Sequence, residues 1–270
     1  MTTFLDKVVA ETRERLARRA DEFDIAKLRD EAESFRSGRE SFRLHAALSV
    51  KDRVNIIAEI KRASPSKNDI DPTADAAERA KTYETSGAAT ISILTEPTYF
   101  KGSLDDIRDA RRAVDIPLLR KDFIVDEVQI YEAAIVGADA VLLIVAALSE
   151  ADLAYLLTVA DSLGLDTLVE THDLDEVKIA ATAGAKIIGV NNRDLHTLAV
   201  DLATSFELAA HKPDNTLFVA ESGIRSSEEI EKLRNAGFDG FLIGEALMAS
   251  SDPANKLAAL AKAGGSHGQS

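Results

Sequence analysis

Short apolar runs alternate with amphipathic stretches over most of the chain. The longest run is AVLLIVAAL at 140–148, and it consists of Ala, Val, Ile and Leu. Such runs are typical of strands buried on both faces, whereas stretches such as DPTADAAERAKTYE are typical of helices with one solvated face. The alternation predicts a parallel sheet with right-handed crossovers.

Five segments repeat one local order: a helix-like run, a glycine, two or three further residues, and then an apolar run. They are ETSGAATISIL, AIVGADAVLLI, DSLGLDTLVE, ATAGAKIIGV and RNAGFDGFLI. Glycine is the usual residue just beyond a helix end because it tolerates the left-handed backbone conformation. The repeat therefore predicts helix, glycine stop, short loop and buried strand.

Together with the apolar runs that lack this glycine, the repeat predicts eight strands. We place them near 55–60, 90–94, 117–121, 140–145, 166–170, 187–191, 216–221 and 240–243. Eight such units in about 200–250 residues indicate an α/β protein with the (β/α)8 TIM-barrel fold. An open doubly wound sheet is the alternative, but it usually has fewer strands, and the sequence contains no GxGxxG or GxxxxGK[ST] fingerprint.

The first 50 residues lie outside the repeat. Their apolar residues recur three, four or seven positions apart, which is typical of helices. We expect residues 1–50 to form a helical extension that caps the catalytic mouth of the barrel. The chain, 1–270, is then one barrel domain, in which 262–270 is predicted to be a flexible tail.

Composition limits the classes of partner and site. The net charge is −14, from 46 acidic and 32 basic residues, which argues against binding of nucleic acid or of an anionic membrane. There is no Cys, and the five His residues form no HxH or HExxH pair, so neither thiolate chemistry nor a metal site is predicted. The N-terminus lacks an apolar signal core, and no apolar run approaches the ~20 residues of a membrane span. We expect a cytoplasmic protein.

Ionisable and amide side chains lie at the predicted carboxyl ends of five strands. They are Glu59 and Lys61 after strand 1, Lys121 after strand 3, Glu170 after strand 5, Asn191 and Arg193 after strand 6, and Glu221 and Ser222 after strand 7. Charges at one or two strand ends can simply mark where solvent begins. Five strands that end this way at one mouth favour an active site, because barrel enzymes place catalytic groups there.

The loops after strands 7 and 8 have the pattern of a phosphate site. ESGIRSSEE at 221–229 and IGEALM at 243–248 each place a glycine at the turn before a helix. Barrels often bind phosphate in these two loops through backbone N–H groups and a helix N-terminus. Such amides can hold an anion even on an acidic protein.

Eight segments in order, from about residue 57 to residue 248, resemble the indole-3-glycerol phosphate synthase family. They are IIAEIKRASPSK, TEPTYFKGS, PLLRKDFIVDEVQIYEA, ADAVLLIVAAL, LVETHD, GVNNRDL, VAESGI and IGEALM. The resemblance implies a ring closure in tryptophan biosynthesis, in which 1-(2-carboxyphenylamino)-1-deoxyribulose 5-phosphate loses carbon dioxide and water. It implies no cofactor and no metal.

The resemblance also implies roles for individual residues. Lys121 would be the general acid of ring closure, Glu170 a second acid/base group, and Lys61 a cation that holds anionic substrate groups and helps in proton transfer. The other implied site residues are Glu59, Ser64, Asn191, Arg193 and Glu221 around the ligand, Ser222, Gly223, Gly244 and Glu245 on the phosphate side, and Phe100, Phe123, Leu142 and Leu195 around the aromatic ring.

Two residues depart from the usual family pattern. Asn68 stands where the family usually has Gly after SPSK, and we expect it to preserve the loop because Asn tolerates left-handed geometry. Glu245 follows the phosphate-loop glycine where some members have a small hydroxyl residue. An acid beside phosphate is unfavourable unless only its N–H group points inward.

Two alternative functions stay open from the sequence. Phosphoribosylanthranilate isomerase shares the fold, but its chemistry usually relies on a Cys and Asp pair, and this chain has no Cys. A non-catalytic barrel that binds a phosphorylated ligand is the other alternative, although Lys61, Lys121 and Glu170 together argue against it. We expect a monofunctional protein that is a monomer or a weak homo-oligomer.

The charge of −14 leads to a prediction about salt. If the acidic surface is an adaptation to high salt, the melting temperature should rise as NaCl increases from about 0.1 M to about 2 M, because salt screens self-repulsion. Differential scanning fluorimetry measures it. A melting temperature that stays constant or falls as NaCl increases would contradict the adaptation to high salt.

Overall fold

The computed structural model describes residues 3–65, 68–195 and 197–262, and in these ranges eight parallel strands close into a barrel. Barrel strands 1 to 8 are Ile56–Ile60, Thr90–Leu94, Leu118–Lys121, Ala140–Ile144, Asp166–Thr171, Ile187–Asn191, Leu217–Glu221 and Gly240–Ile243. Each predicted strand end lies within one residue of the observed end. The predicted (β/α)8 barrel is confirmed.

Helices surround the barrel and precede it. In the described ranges the α-helices are α1 (Phe4–Arg18), α2 (Ile25–Arg36), α3 (Arg43–Leu48), α4 (Ala76–Thr85), α5 (Leu104–Ala113), α6 (Glu127–Val136), α7 (Glu150–Ser162), α8 (Leu174–Thr182), α9 (Ala203–Ala209), α10 (Ser227–Asn235), α11 (Glu245–Met248) and α12 (Pro253–Ala261). Short 3-10 helices lie at Ala20–Glu22 and Val145–Ala147, and Ala63–Ser64 pairs with Asn68–Asp69 in a small antiparallel ribbon. None of these described helices is long and apolar enough to cross a membrane. The predicted tail lies, from residue 263 onwards, outside the described residues.

The predicted glycine stops have the expected backbone geometry. Positive φ angles occur at Gly87, Gly137, Gly164, Gly184 and Gly237. The requirement is strict at Gly137, where φ is 95° and a Cβ atom would lie 2.8 Å from Cγ of Arg111. Any side chain there would strain the backbone and displace the arginine.

Alternation along the strands separates the two faces of the sheet. Ile56, Ala58 and Ile60 of strand 1 belong to the buried layer between the barrel and its helices, whereas Ile57 belongs to the interior cluster. In such barrels, alternate strands contribute the four side chains of each interior layer. An apolar interior layer consists of Ile57, Leu119, Leu168 and Val219 from strands 1, 3, 5 and 7. Two residues further along these strands are Glu59, Lys121, Glu170 and Glu221, so the apolar layer supports a charged one.

The three helices of the N-terminal extension have different positions. Phe4 and Leu5 of α1 line the catalytic mouth, as predicted for a cap. Helix α2 packs beside α6, where Arg29 Nε donates to the Tyr131 hydroxyl at 3.0 Å. Helix α3 closes the opposite end of the barrel with the buried side chain of Leu48. The extension therefore contacts both ends of the barrel: α1 borders the catalytic mouth, and α3 closes the opposite end.

One buried carboxylate joins the extension to the barrel. Asp139, just before strand 4, accepts from Arg43 Nη1 at 3.1 Å and from Arg111 Nη1 at 2.8 Å, and Arg36 Nη1 lies 3.6 Å away. Burial lowers the pKa of the Arg36 guanidinium, and Asp139 opposes that shift. Removing Asp139 would leave buried positive charges without their partner.

The position of Leu48 leads to a stability prediction. Leu48→Ala should reduce the free energy of unfolding by about 2–5 kcal/mol, because it leaves a cavity at the closed end of the barrel. Urea denaturation followed by circular dichroism measures the change. The control is Ile25→Ala on α2, where the isoleucine is 43% exposed. Equal stability of the two variants would show that α3 does not close the barrel.

Candidate active site

One cavity of about 180 Å³ lies at the carboxyl ends of the barrel strands. The structure brings all sixteen predicted site residues to its lining. They are Glu59, Lys61, Ser64, Phe100, Lys121, Phe123, Leu142, Glu170, Asn191, Arg193, Leu195, Glu221, Ser222, Gly223, Gly244 and Glu245. Parallel strands deliver these distant residues to one mouth because all of their carboxyl ends meet there.

Lys121 is at the centre of the charged layer. Its Nζ atom lies 3.1 Å from Oε2 of Glu170 and 3.2 Å from Oε2 of Glu221. Beside it, Lys61 Nζ donates to Oε1 of Glu59 at 2.6 Å. Two ammonium groups and three carboxylates therefore lie together, and none of these side chains is more than 14% exposed.

The carboxylates keep Lys121 charged. Burial by itself lowers the pKa of this ammonium group, but Glu170, Glu221 and Glu59 outweigh burial and raise the pKa above its usual range. Lys121 is therefore a cation and a hydrogen-bond donor throughout the neutral pH range.

The two carboxylates that contact Lys121 have pKa values shifted in opposite directions. Burial raises the pKa of Glu170, but Lys121 and then His172 outweigh it and hold that pKa well below its usual range. At Glu221, burial and the charge of Glu170 outweigh Lys121 and raise the pKa. Two carboxyl groups with divergent pKa values can act as separate acid and base.

A glycine on strand 6 makes room for Glu221. A Cβ atom at Gly189 would lie 2.1 Å from Glu221 Oε1, so any side chain there would displace the carboxylate. This Glu221 oxygen is buried and has no hydrogen-bond partner among the described residues. The space at Gly189 is therefore what allows this oxygen to be buried.

His172 is a neighbour of the site that was not predicted from the sequence. It directly follows strand 5, and its Nε2 atom lies 3.4 Å from Oε1 of Glu170. Its Nδ1 atom lies 3.0 Å from Oε2 of Glu176 in the first turn of α8. The signal was present in LVETHD, where the histidine is two residues after the predicted acid/base group.

One wall of the cavity is apolar. The rings of Phe100 and Phe123 lie 6.3 Å apart between centroids, and Leu142 and Leu195 lie beside them in the lining. Phe4 of α1 adds a third ring, 6.4 Å from Phe123. Phe4 was not predicted as a site residue, because helical spacing does not show which surface a helix covers.

The opposite wall contains the two predicted phosphate loops. Ser222 and Gly223 have φ angles of 65° and 84°. A Cβ atom at Gly244 would lie 2.2 Å from Oε1 of Glu59, so only glycine leaves room for that carboxylate. At the start of α11, Oε2 of Glu245 lies 3.7 Å from Nη2 of Arg193. The acidic side chain is therefore turned towards the arginine.

The loop after strand 1 has the backbone geometry expected for Asn68. This residue has a φ angle of 53° and pairs with Ser64 in the small ribbon. Arg62 anchors the base of the loop, since its guanidinium donates to both carboxylate oxygens of Asp106 at 2.6 and 2.7 Å. The left-handed conformation predicted at Asn68 is confirmed.

Sequence comparisons agree with this geometry. The family model described as indole-3-glycerol phosphate synthase matches residues 5–260. The chain belongs to this family. It is therefore a lyase with a TIM-barrel fold. Within the described ranges, no group of three or more His, Cys, Asp or Glu residues is placed to hold a metal ion.

Relatives in the same family match most of the chain. The chain is 45% identical over 261 residues to indole-3-glycerol phosphate synthase of Carboxydothermus hydrogenoformans, covering 95% of this chain and 99% of the relative. It is 50% identical over 202 residues to that of Desulfosudis oleivorans, covering 75% and 77%. The first match therefore spans nearly the whole chain, and the second spans three quarters of it.

Solved structures of other proteins share only the fold. The thiamine phosphate pyrophosphorylase from Pyrococcus furiosus superposes with a TM-score of 0.58 at 17% identity, covering 77% of this chain and 94% of that one. The N-acetylmannosamine-6-phosphate 2-epimerase from Clostridium perfringens gives a TM-score of 0.59 at 14% identity, covering 75% and 90%.

Proposed function

We propose that this chain is a carboxy-lyase, EC 4.1.1.48, that converts 1-(2-carboxyphenylamino)-1-deoxyribulose 5-phosphate into indole-3-glycerol phosphate, carbon dioxide and water. The observation that carries the proposal is the position of Lys121. Its ammonium group lies between Glu170 and Glu221, in a cavity with an apolar wall on one side and two glycine loops on the other. The substrate has the matching parts: an aromatic ring, a ketone and a phosphate.

Lys121 supplies the charge that ring closure needs. The arene carbon that bears the carboxylate attacks the ketone carbon, and negative charge develops on the ketone oxygen. A buried ammonium group stabilises that charge strongly because water does not screen it, and it then donates a proton to the oxygen. Loss of carbon dioxide returns the bonding electrons to the ring and restores its aromaticity.

Glu170 and Lys61 belong to the later steps in this proposal. Dehydration requires a hydroxyl group to leave as water and a ring proton to be removed. Glu170, whose pKa is held low by its neighbouring cations, is ionised at neutral pH and can accept a proton. Lys61, paired with Glu59, contributes a second cation for the anionic groups of the substrate.

The two walls bind the two ends of the substrate. Phe100, Phe123, Leu142 and Leu195 enclose the aromatic ring, and Phe4 completes this wall. At the other end, Arg193, Ser222 and the backbone N–H groups after Gly223 and Gly244 hold the phosphate, as is usual in barrels. For compartment and assembly we retain the sequence prediction of a cytoplasmic monomer or weak homo-oligomer.

Lys121→Met tests the central role. Methionine keeps most of the side-chain volume but removes the charge and the proton, so turnover should fall at least ~100-fold while the substrate still binds. Lys121→Arg should also fail, because the larger planar guanidinium cannot take the place of the compact ammonium group between Glu170 and Glu221. An assay for indole-3-glycerol phosphate and a binding titration measure the two effects.

The matched control is Lys27→Met on α2, whose lysine side chain is 72% exposed. It should behave like the wild type in both measurements. If Lys121→Met turns over within a few-fold of the wild type, the acid is elsewhere, and Lys61 is the next candidate.

Glu245→Gln tests the phosphate wall. The amide keeps the shape and the backbone N–H group but ends the competition for Arg193, so KM should fall about two- to fivefold, the range of a partly exposed ion pair. Inorganic phosphate should also inhibit this variant more strongly. Glu207→Gln on α9 is the control and should change neither value. An increase in KM for Glu245→Gln would show that the carboxylate contributes to binding.

A further inference from the structure

The imidazole of His172 lies between two carboxylates from different elements. Its Nε2 atom is 3.4 Å from Oε1 of Glu170, and its Nδ1 atom is 3.0 Å from Oε2 of Glu176. The backbone N–H group of His172 donates to the same Glu176 oxygen at 2.7 Å. The ring is therefore fixed by its own backbone and by one side chain, and its Nε2 atom is directed at Glu170.

Glu176 holds the ring from a rigid position. It lies in the first turn of α8, and its backbone N–H group donates to Oδ1 of the N-cap residue Asp173 at 2.9 Å. The cap fixes the start of the helix, and the start of the helix fixes the Glu176 carboxylate. A carboxylate that orients a histidine which in turn faces a reacting group is a recurring arrangement in catalysis.

The charges around His172 keep it protonated. Burial lowers its pKa, but the hydrogen bonds and charges of Glu170 and Glu176 outweigh burial and raise the pKa to about 10. As imidazolium, both ring nitrogens carry a proton, one for each carboxylate. The other groups that face Glu170 are Lys121 from strand 3, Asn191 from strand 6, and Glu221, which interacts with it from strand 7.

Glu170 consequently has a different cation beside each of its oxygens. Lys121 lies beside Oε2, and His172 lies beside Oε1. His172 Nε2 is buried and lacks a well-aligned hydrogen-bond partner among the described residues, so Glu170 is the acceptor towards which it is directed. A catalytic contact of this length can shorten when a ligand binds.

We propose that His172, oriented by Glu176, is a positioning residue that keeps Glu170 ionised and holds it in place for proton transfer. This inference rests on the proposed function, because it assigns Glu170 an acid/base role. The segment LVETHD then has two functional residues. Glu170 on the strand is the acid/base group, and His172 just after the strand keeps Glu170 ionised and in position.

The sign of the pH effect follows from the charges. Two cations hold the pKa of Glu170 down, so Glu170 stays ionised, and active as a base, well into acid. Without the imidazolium, Lys121 and the Asn191 side chain still oppose burial, but His172 no longer does, so the pKa of Glu170 rises. The acid limb of the kcat profile then moves to higher pH, because Glu170 becomes protonated earlier as the pH falls.

The experiment measures kcat and KM against pH for three variants of the full chain. His172→Ala should lower kcat at neutral pH about tenfold or more, leave KM within about threefold, and raise the acid limb by about one pH unit. His172→Gln should recover part of kcat, because it retains a donor, but keep the raised acid limb, because it lacks the charge. Glu176→Gln should give a smaller shift in the same direction.

Two comparisons make the result decisive. The double variant His172→Ala/Glu176→Gln should be no worse than His172→Ala alone, because Glu176 reaches Glu170 only through the imidazole and the glutamine amide oxygen can still accept from the backbone N–H group. His211→Ala, outside the site, should leave the whole profile unchanged. If His172→Ala does not fold, the His172→Gln and Glu176→Gln variants carry the test.

Glu170→Gln separates this inference from the proposed function. If Glu170→Gln is as active as the wild type, the proposed role of Glu170 itself is wrong. If Glu170→Gln is inactive but the three variants keep the wild-type acid limb, the enzyme assignment stands and the positioning role of His172 is overturned. An equal loss of kcat at every pH in His172→Ala and His172→Gln would also overturn it, since that result indicates a structural role.

Discussion

The ammonium group of Lys121 is buried, and a buried charge needs partners of the opposite sign. Glu170 and Glu221 supply them at 3.1 and 3.2 Å, and they come from strands 5 and 7 while the lysine comes from strand 3. A closed barrel satisfies this need because its alternate strands each place one side chain in the same interior layer. The rest of the site follows from this layer. Glu170 and Glu221 both contact Lys121, but only Glu170 has a second cation, His172, beside it. The pKa of Glu170 is therefore lowered, whereas that of Glu221 is raised.

The strength of these charges depends on what surrounds them. The apolar layer that contains Leu119 and Leu168 lies directly beneath, and Leu48 closes the far end of the barrel. Because water is excluded from below, charge interactions in the upper layer are stronger than they would be at a surface. Glycines at 189 and 244 provide the space that the buried carboxylates occupy. The same packing thus stabilises the barrel and sets the electrostatics of the site.

An acidic protein that acts on an anionic substrate has to bind it through local groups. The net charge of −14 is spread over the outer helices, where salt screens it beyond about 10 Å. Inside the mouth, Lys61, Lys121 and Arg193 face the cavity together with the two glycine loops. Each of these cations has a carboxylate neighbour, which avoids an unpaired buried charge. The substrate therefore competes with internal carboxylates as it binds.

The sequence alone determined the eight strands, the glycine stops and the residues at the strand ends, because these depend on local periodicity and on backbone preference. Parallel pairing then made it certain that the strand ends would meet. The tertiary structure alone placed α2 against α6 and α3 beneath the barrel, since helical spacing shows that one face is buried but not against what. It also decided the contacts of Glu245 with Arg193 and of His172 with Glu170 and Glu176. The direction of a side chain and the pKa of a buried group depend on neighbours that packing brings together, and the linear order of residues does not contain those distances.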